Sequence, residues 1–128
     1  MKILLDTHAL LWLMQDDARL SSEAEVAFLE PDNDLFFSTA SYWEICTKQS
    51  IGKLGLAFGW QETVDAELAA NRVNWLGINK AHCQGLLRLP HHHGDPFDRL
   101  LIAQAQVETM ALLTADTNIW RYDVKTVW

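Results

Sequence analysis

Two apolar runs, each too short for a helix and each followed by an aspartate, constrain this chain most. Ile3-Leu4-Leu5 stops at Asp6, and Ala111-Leu112-Leu113-Thr114 leads through Ala115 to Asp116. Short continuous apolar runs of this kind read as strands covered on both faces, the habit of parallel sheets. In open α/β sheets, ligands bind beyond the carboxyl ends of the strands. Glu44 in Ser41-Tyr-Trp-Glu-Ile45 and Asp98 in Asp95-Pro-Phe-Asp-Arg99 are two further acids that such a sheet would gather at the same edge. Carboxylates collected there repel one another unless a cation neutralises them, and hard divalent ions prefer oxygen ligands. The four acids therefore suggest a metal site.

The rest of the chain alternates in the manner of an α/β domain. A strand over 2–5 leads into a helix over Thr7 to Gln15, and Ser22 with Glu25 fits a capping box opening a second helix through about Glu30. Pro31-Asp-Asn-Asp34 is a turn, Leu35–Thr39 the next strand, and Ala40 to about Gln49 a helix closed by Gly52 and Gly55. Gln61–Asn71 reads as an amphipathic helix, Val73–Leu76 as a weaker strand, and Lys80–Leu87 as a helix ending before Pro90. Pro96 opens the strongest helix, Phe97–Val107, and strands at Ala111–Thr114 and Val124–Val127 follow. The expectation is one three-layer α/β/α domain over residues 1–128, with a mostly parallel central sheet.

At 128 residues such a domain buries roughly two-thirds of the surface of its unfolded chain. No apolar run approaches the ~20 residues that span a bilayer, and Met1-Lys-Ile-Leu-Leu-Asp6 turns acidic too early for a signal peptide. Cys46 and Cys83 read as small buried hydrophobes in a reduced, cytoplasmic protein. A formal charge of −7 weakens the case for broad, nonspecific DNA binding. It does not decide the partner, because four of the seventeen acids are proposed ligands whose charge a cation would offset.

Three of the four acids also have a local explanation. Asp6 suits an N-cap for the helix that follows it. Ser41 and Glu44 fit a capping box, and Lys48 lies one turn beyond Glu44 as an i,i+4 partner. Asp98 falls at the third position of a helix capped by Asp95, where a negative charge complements the dipole. His91-His-His93 invites a zinc reading, but three consecutive histidines do not readily turn to one ion, so a substrate contact or solvated loop is preferred. The six tryptophans read mainly as packing, with base stacking the lesser alternative. No phosphate-cradling glycine loop and no nucleophile-elbow serine occurs.

Taken together, four segments resemble PIN-domain ribonucleases, specifically the VapC-type toxins of bacterial toxin–antitoxin pairs. They are Leu4-Leu-Asp-Thr7, Ser41-Tyr-Trp-Glu-Ile45 with Lys48 and Gly52-Lys-Leu54, the run from His92 through Asp98-Arg-Leu-Leu-Ile-Ala103 to Ala105, and Leu113-Thr-Ala-Asp116. The resemblance spans essentially the whole chain. It implies that Asp6, Glu44, Asp98 and Asp116 are catalytic and hold one or two Mg²⁺ or Mn²⁺ ions, with Thr7 and Thr114 as supporting hydroxyls. It selects Asp98 over Asp95 because the third acid of the family precedes a Leu-Ile-Ala pattern. Asp95-Pro-Phe-Asp98 departs from the commonest family form by offering a second acid, which leaves Asp95 either to share ligation or only to cap. It further implies cleavage of a structured RNA such as tRNA, a cognate antitoxin and a homodimer. A catalytically silent PIN-like module that binds RNA or protein is the alternative. A receiver-like signalling domain lacks support, since neither its acidic pair near the first strand nor its late lysine is present.

Overall fold

The computed structural model describes residues 1–128, and its centre is the strand formed by Ile3, Leu4 and Leu5. Side chains alternate across a strand, so Ile3 and Leu5 bury toward one face while Leu4 buries toward the other. Neither face of this strand meets water, which is why its run carries no polar alternation.

The elements follow in the order β1 (Lys2–Leu5), α1 (Thr7–Gln15), α2 (Ser22–Leu29), β2 (Asp34–Ser38), α3 (Thr39–Ser50), α4 (Trp60–Ala70), β3 (Asn74–Leu76), α5 (Lys80–Gly85), α6 (Pro96–Glu108), β4 (Ala111–Leu113) and β5 (Thr126–Val127). The sheet order is β3-β2-β1-β4-β5, with every pairing parallel. One apolar layer holds Ile3, Leu5 and Phe37 against Leu10 of α1, Phe28 of α2, Ile45 of α3 and Val64 of α4. The opposite layer holds Leu4 and Leu112 against Leu101 and Ile102 of α6. This is the expected three-layer α/β/α architecture. No helix is long and apolar enough to cross a membrane.

Two polar ties hold α6 in place. Ser38, at the end of β2, donates its hydroxyl to Gln104 Oε1 on α6 at 2.6 Å, with both side chains fully buried. His82 of α5 is also fully buried, accepting at Nδ1 from the Asn79 N–H at 3.1 Å and meeting Glu108 of α6 through Nε2 at 2.9 Å. Gly85 lets α5 approach α6 closely, since a Cβ there would stand 3.4 Å from both Ala103 and Val107.

Local chemistry departs from expectation in several places. The cap of α2 is Ser21, whose hydroxyl accepts from the Ala24 N–H at 3.0 Å, one residue before the expected Ser22. Ser38, not Ser41, caps α3, so the capping-box explanation of Glu44 fails; Ser41 lies inside the helix with its hydroxyl buried and unpartnered. Cys46 and Cys83 are exposed rather than buried, because they lie on the solvent faces of α3 and α5. Trp43, Trp75 and Trp120 are also exposed, whereas Trp60 is buried in the core as expected.

Candidate active site

The chain runs from β1 outward to β2 and β3, then returns to the other side of β1 for β4 and β5. The point where the order reverses lies between β1 and β4, and there the carboxyl ends of neighbouring strands leave a crevice. Asp6 follows β1 directly, with its N–H bonded to the Leu113 carbonyl of β4 at 3.0 Å. Asp116 lies just beyond β4, and α3 and α6, which pack together, bring Glu44 and Asp98 to the same end. The charges of the other three acids, and of Asp95, all act on the half-buried Asp98.

Asp6 occupies the N-cap position of α1, yet its carboxylate caps nothing. It accepts instead from the Thr114 hydroxyl at 2.8 Å, across 108 residues of sequence. The capping explanation of Asp6 is thereby set aside. Burial raises the Asp6 carboxyl to about 6, with the Thr114 hydrogen bond pulling against that shift and the charge of Glu44 adding to it.

Glu44 is buried and held on both oxygens. Thr7 donates its hydroxyl to Oε1 at 2.7 Å, and Lys48 Nζ meets Oε2 at 2.5 Å as the i,i+4 partner. Burial opposes the charge on Lys48, but Glu44, with Asp95 and Asp98 behind it, raises that ammonium overall. Thr7 and Thr114 thus support Glu44 and Asp6 respectively, and Thr114 Oγ1 also accepts from the Asp116 N–H at 3.1 Å.

Asp98 and Asp95 divide two roles. Asp95 Oδ1 accepts from the N–H groups of Phe97 and Asp98, at 2.9 and 3.0 Å, and so caps α6 just before Pro96. The Asp98 carboxylate takes no part in that cap. Burial first, then the charges of Asp95, Asp6, Asp116 and Glu44, push the Asp98 carboxyl up to about 8.

Three residues that sequence reasoning did not place as site residues brace Asp98. Arg99 Nη1 donates to the Tyr122 hydroxyl at 3.0 Å, and the His93 N–H reaches the same oxygen at 3.3 Å. The same hydroxyl meets His93 Nδ1 at 2.8 Å. Across the ring, His93 Nε2 meets Asp98 Oδ2 at 3.2 Å. His93 is therefore a structural brace, not a solvated loop residue. The signal available in sequence was a histidine five residues before an acid; its partner Tyr122 lies 29 residues farther on and had none.

The donor set is all oxygen, and two of its carboxylates, Asp6 and Asp98, have their proton affinity raised by burial and by the neighbouring acids. That chemistry fits a hard divalent cation. As the side chains stand, no three of the acidic or imidazole groups converge closely enough to hold one ion. Glu44 is turned instead toward Thr7 and Lys48.

An all-parallel α/β/α domain with carboxylates at its switch point defines the class. The PIN domain family model matches residues 3–125, and the chain belongs to that family. Its fold is similar to the VapBC2 complex of Rickettsia felis bound to a promoter DNA fragment, at 15% identity and a TM-score of 0.76, covering 98% of this chain and 97% of that one. VapBC-1 of nontypeable Haemophilus influenzae gives 22% identity and a TM-score of 0.66, covering 98% and 96%. A toxin–antitoxin complex of Klebsiella pneumoniae gives 15% identity and a TM-score of 0.51, covering 90% and 87%. A search of curated proteins found no match.

Proposed function

We propose that the chain is a metal-dependent endoribonuclease hydrolysing RNA phosphodiester bonds, and the toxin of a toxin–antitoxin pair. One observation carries this reading: in a PIN-domain chain, Asp6 and Asp116 follow the neighbouring central strands β1 and β4, and the packed helices α3 and α6 carry Glu44 and Asp98. Asp6, Glu44, Asp98 and Asp116 would hold Mg²⁺ or Mn²⁺, which when bound polarises a phosphate oxygen and acidifies water. Thr114 fixes the orientation of Asp6, and the Arg99–Tyr122–His93 chain fixes that of Asp98. Lys48 offsets the charge of Glu44 one turn away on α3.

Cleavage of RNA by the purified chain in Mg²⁺ or Mn²⁺, against a chelator control, tests this. Activity should vanish in EDTA; undiminished activity after metal stripping rejects the metal mechanism, and cleavage confined to DNA rejects the substrate. The second reading, a catalytically silent module binding RNA or protein, draws support from Lys48, which already neutralises Glu44. Binding without cleavage under every metal condition would favour it.

The similar folds occur in complexes named for toxin and antitoxin, which supports an inhibitory protein partner here. An arginine or lysine of that partner entering the acidic crevice suits the surplus negative charge. The same reading carries a single functional domain over residues 1–128, a homodimer, and action in the cytoplasm on tRNA or another structured RNA.

A further inference from the structure

Beside the acids lies a cavity of about 310 Å³ whose lining also includes basic and aromatic side chains. Asp6 and Asp116 line it together with His8, Trp12 and Arg19. The chain reaches this arrangement through the end of α1. Asp16 takes a left-handed conformation there, with φ of 49°, and the Asp17 N–H bonds back to the Trp12 carbonyl. That reversal lays Arg19 over the helix it has just left, with its guanidinium carbon 4.5 Å from the centre of the Trp12 ring.

Asp17 holds the guanidinium from the side, accepting from Nε at 3.0 Å and from Nη2 at 2.9 Å. Nη1 donates to no protein group, so the fork keeps one free edge while its plane is fixed by carboxylate and indole. An exposed ion pair two residues apart contributes little to stability. Its consequence here is pre-organisation, since a guanidinium already held flat loses less freedom when an anion docks.

The other cations near the acids are committed elsewhere. Lys48 is bound to Glu44, and Arg99 is buried with Nη1 on the Pro90 carbonyl and the Tyr122 hydroxyl. A polyanionic strand crossing a carboxylate-lined crevice needs an anchoring cation of its own, and Arg19 is the one with a free donor edge on the cavity wall.

We propose that this cavity is a phosphate subsite for the nucleotide flanking the cleaved bond, with Arg19 as its positioning residue. The proposal rests on the nuclease reading above and extends it to the path of the substrate. Arg19 acts on binding and not on the chemical step, so its loss separates KM from kcat.

The test compares wild-type chain with Arg19→Gln and Arg19→Lys. Cleavage of a labelled single-stranded RNA is followed over a range of salt, with anisotropy of the same strand in EDTA reporting binding without turnover. Arg19→Gln should raise KM about tenfold, the scale of one charge-assisted hydrogen bond, and leave kcat within about twofold. It should flatten the dependence of log(kcat/KM) on log salt by roughly 0.7, one phosphate contact for a single strand, and Arg19→Lys should restore that slope. An unchanged KM and salt slope in Arg19→Gln, with wild-type cleavage intact, overturns the subsite and leaves the nuclease reading standing. If wild type binds without cutting, the catalytic reading falls and the Arg19 effect on anisotropy decides the subsite. A wild type that neither binds nor cuts RNA removes both.

Discussion

Asp98 is the residue on which the site turns, because its burial and its acidic neighbours act in the same direction. Its carboxyl rises from 3.8 to about 8 and that of Asp6 from 3.8 to about 6, so the folded metal-free chain holds protons that the unfolded chain has released. Stability from these groups is therefore fully present below about pH 4 and is lost as pH climbs, through about 6 for Asp6 and about 8 for Asp98. Thermal midpoints in EDTA should fall between pH 5 and pH 8, and Mg²⁺ should raise the midpoint more at pH 8 than at pH 5. A midpoint flat across that range would contradict the mutual repulsion. Asp98→Asn should remove much of the slope and cost the metal-free chain little stability, since it relieves the clustered charge. If Asp98 is a ligand, the same change lowers cleavage by at least ~100-fold, as disturbance of a metal centre does. A variant that keeps full turnover and loses about 0.3–1 kcal/mol would return Asp98 to a helix-dipole role.

At the scale of elements, caps and buried ties decide where the acids stand. Asp95 caps α6 through two N–H groups, and asparagine caps as well as aspartate, so Asp95→Asn should leave both stability and cleavage close to wild type. A dead Asp95→Asn beside an active Asp98→Asn would reverse the assignment of the two acids. Ser38 has a double function, capping α3 through the Ala40 N–H at 3.0 Å and donating to Gln104 of α6. Ser38→Ala would leave the Gln104 oxygen buried without its donor and should cost about 1–3 kcal/mol, read as a lower urea midpoint at unchanged slope. Because α3 carries Glu44 and α6 carries Asp98, the cleavage rate of that variant should fall with the loss of their registration.

For the whole molecule, the toxin reading predicts a growth phenotype. Expression of the chain alone should slow a bacterial host, and coexpression with its antitoxin should restore growth; equal growth with soluble, active chain present counts against toxicity. Much of the architecture behind this was legible in the residues. Ile3–Leu5 and Ala111–Leu113 announce buried parallel strands because a two-sided sheet tolerates no polar alternation, and both place an aspartate at the carboxyl edge. Pro96 after Asp95 marks the start of α6 because proline forfeits only an N–H that the first turn never uses. Other features were decided by tertiary structure. Whether Asp6 capped a helix or faced the crevice turned on Thr114, which is 108 positions away. The bracing of Asp98 through His93, Tyr122 and Arg99 needed the turn after β4 to fold back on the start of α6. The exposure of Cys46 and Trp43 was set by which arc of α3 the sheet left uncovered. Sequence determines what a segment can do with its own backbone and near neighbours. Which distant hydroxyl, imidazole or guanidinium completes a carboxylate is fixed only when the layers close, because those bonds join residues that share no local pattern.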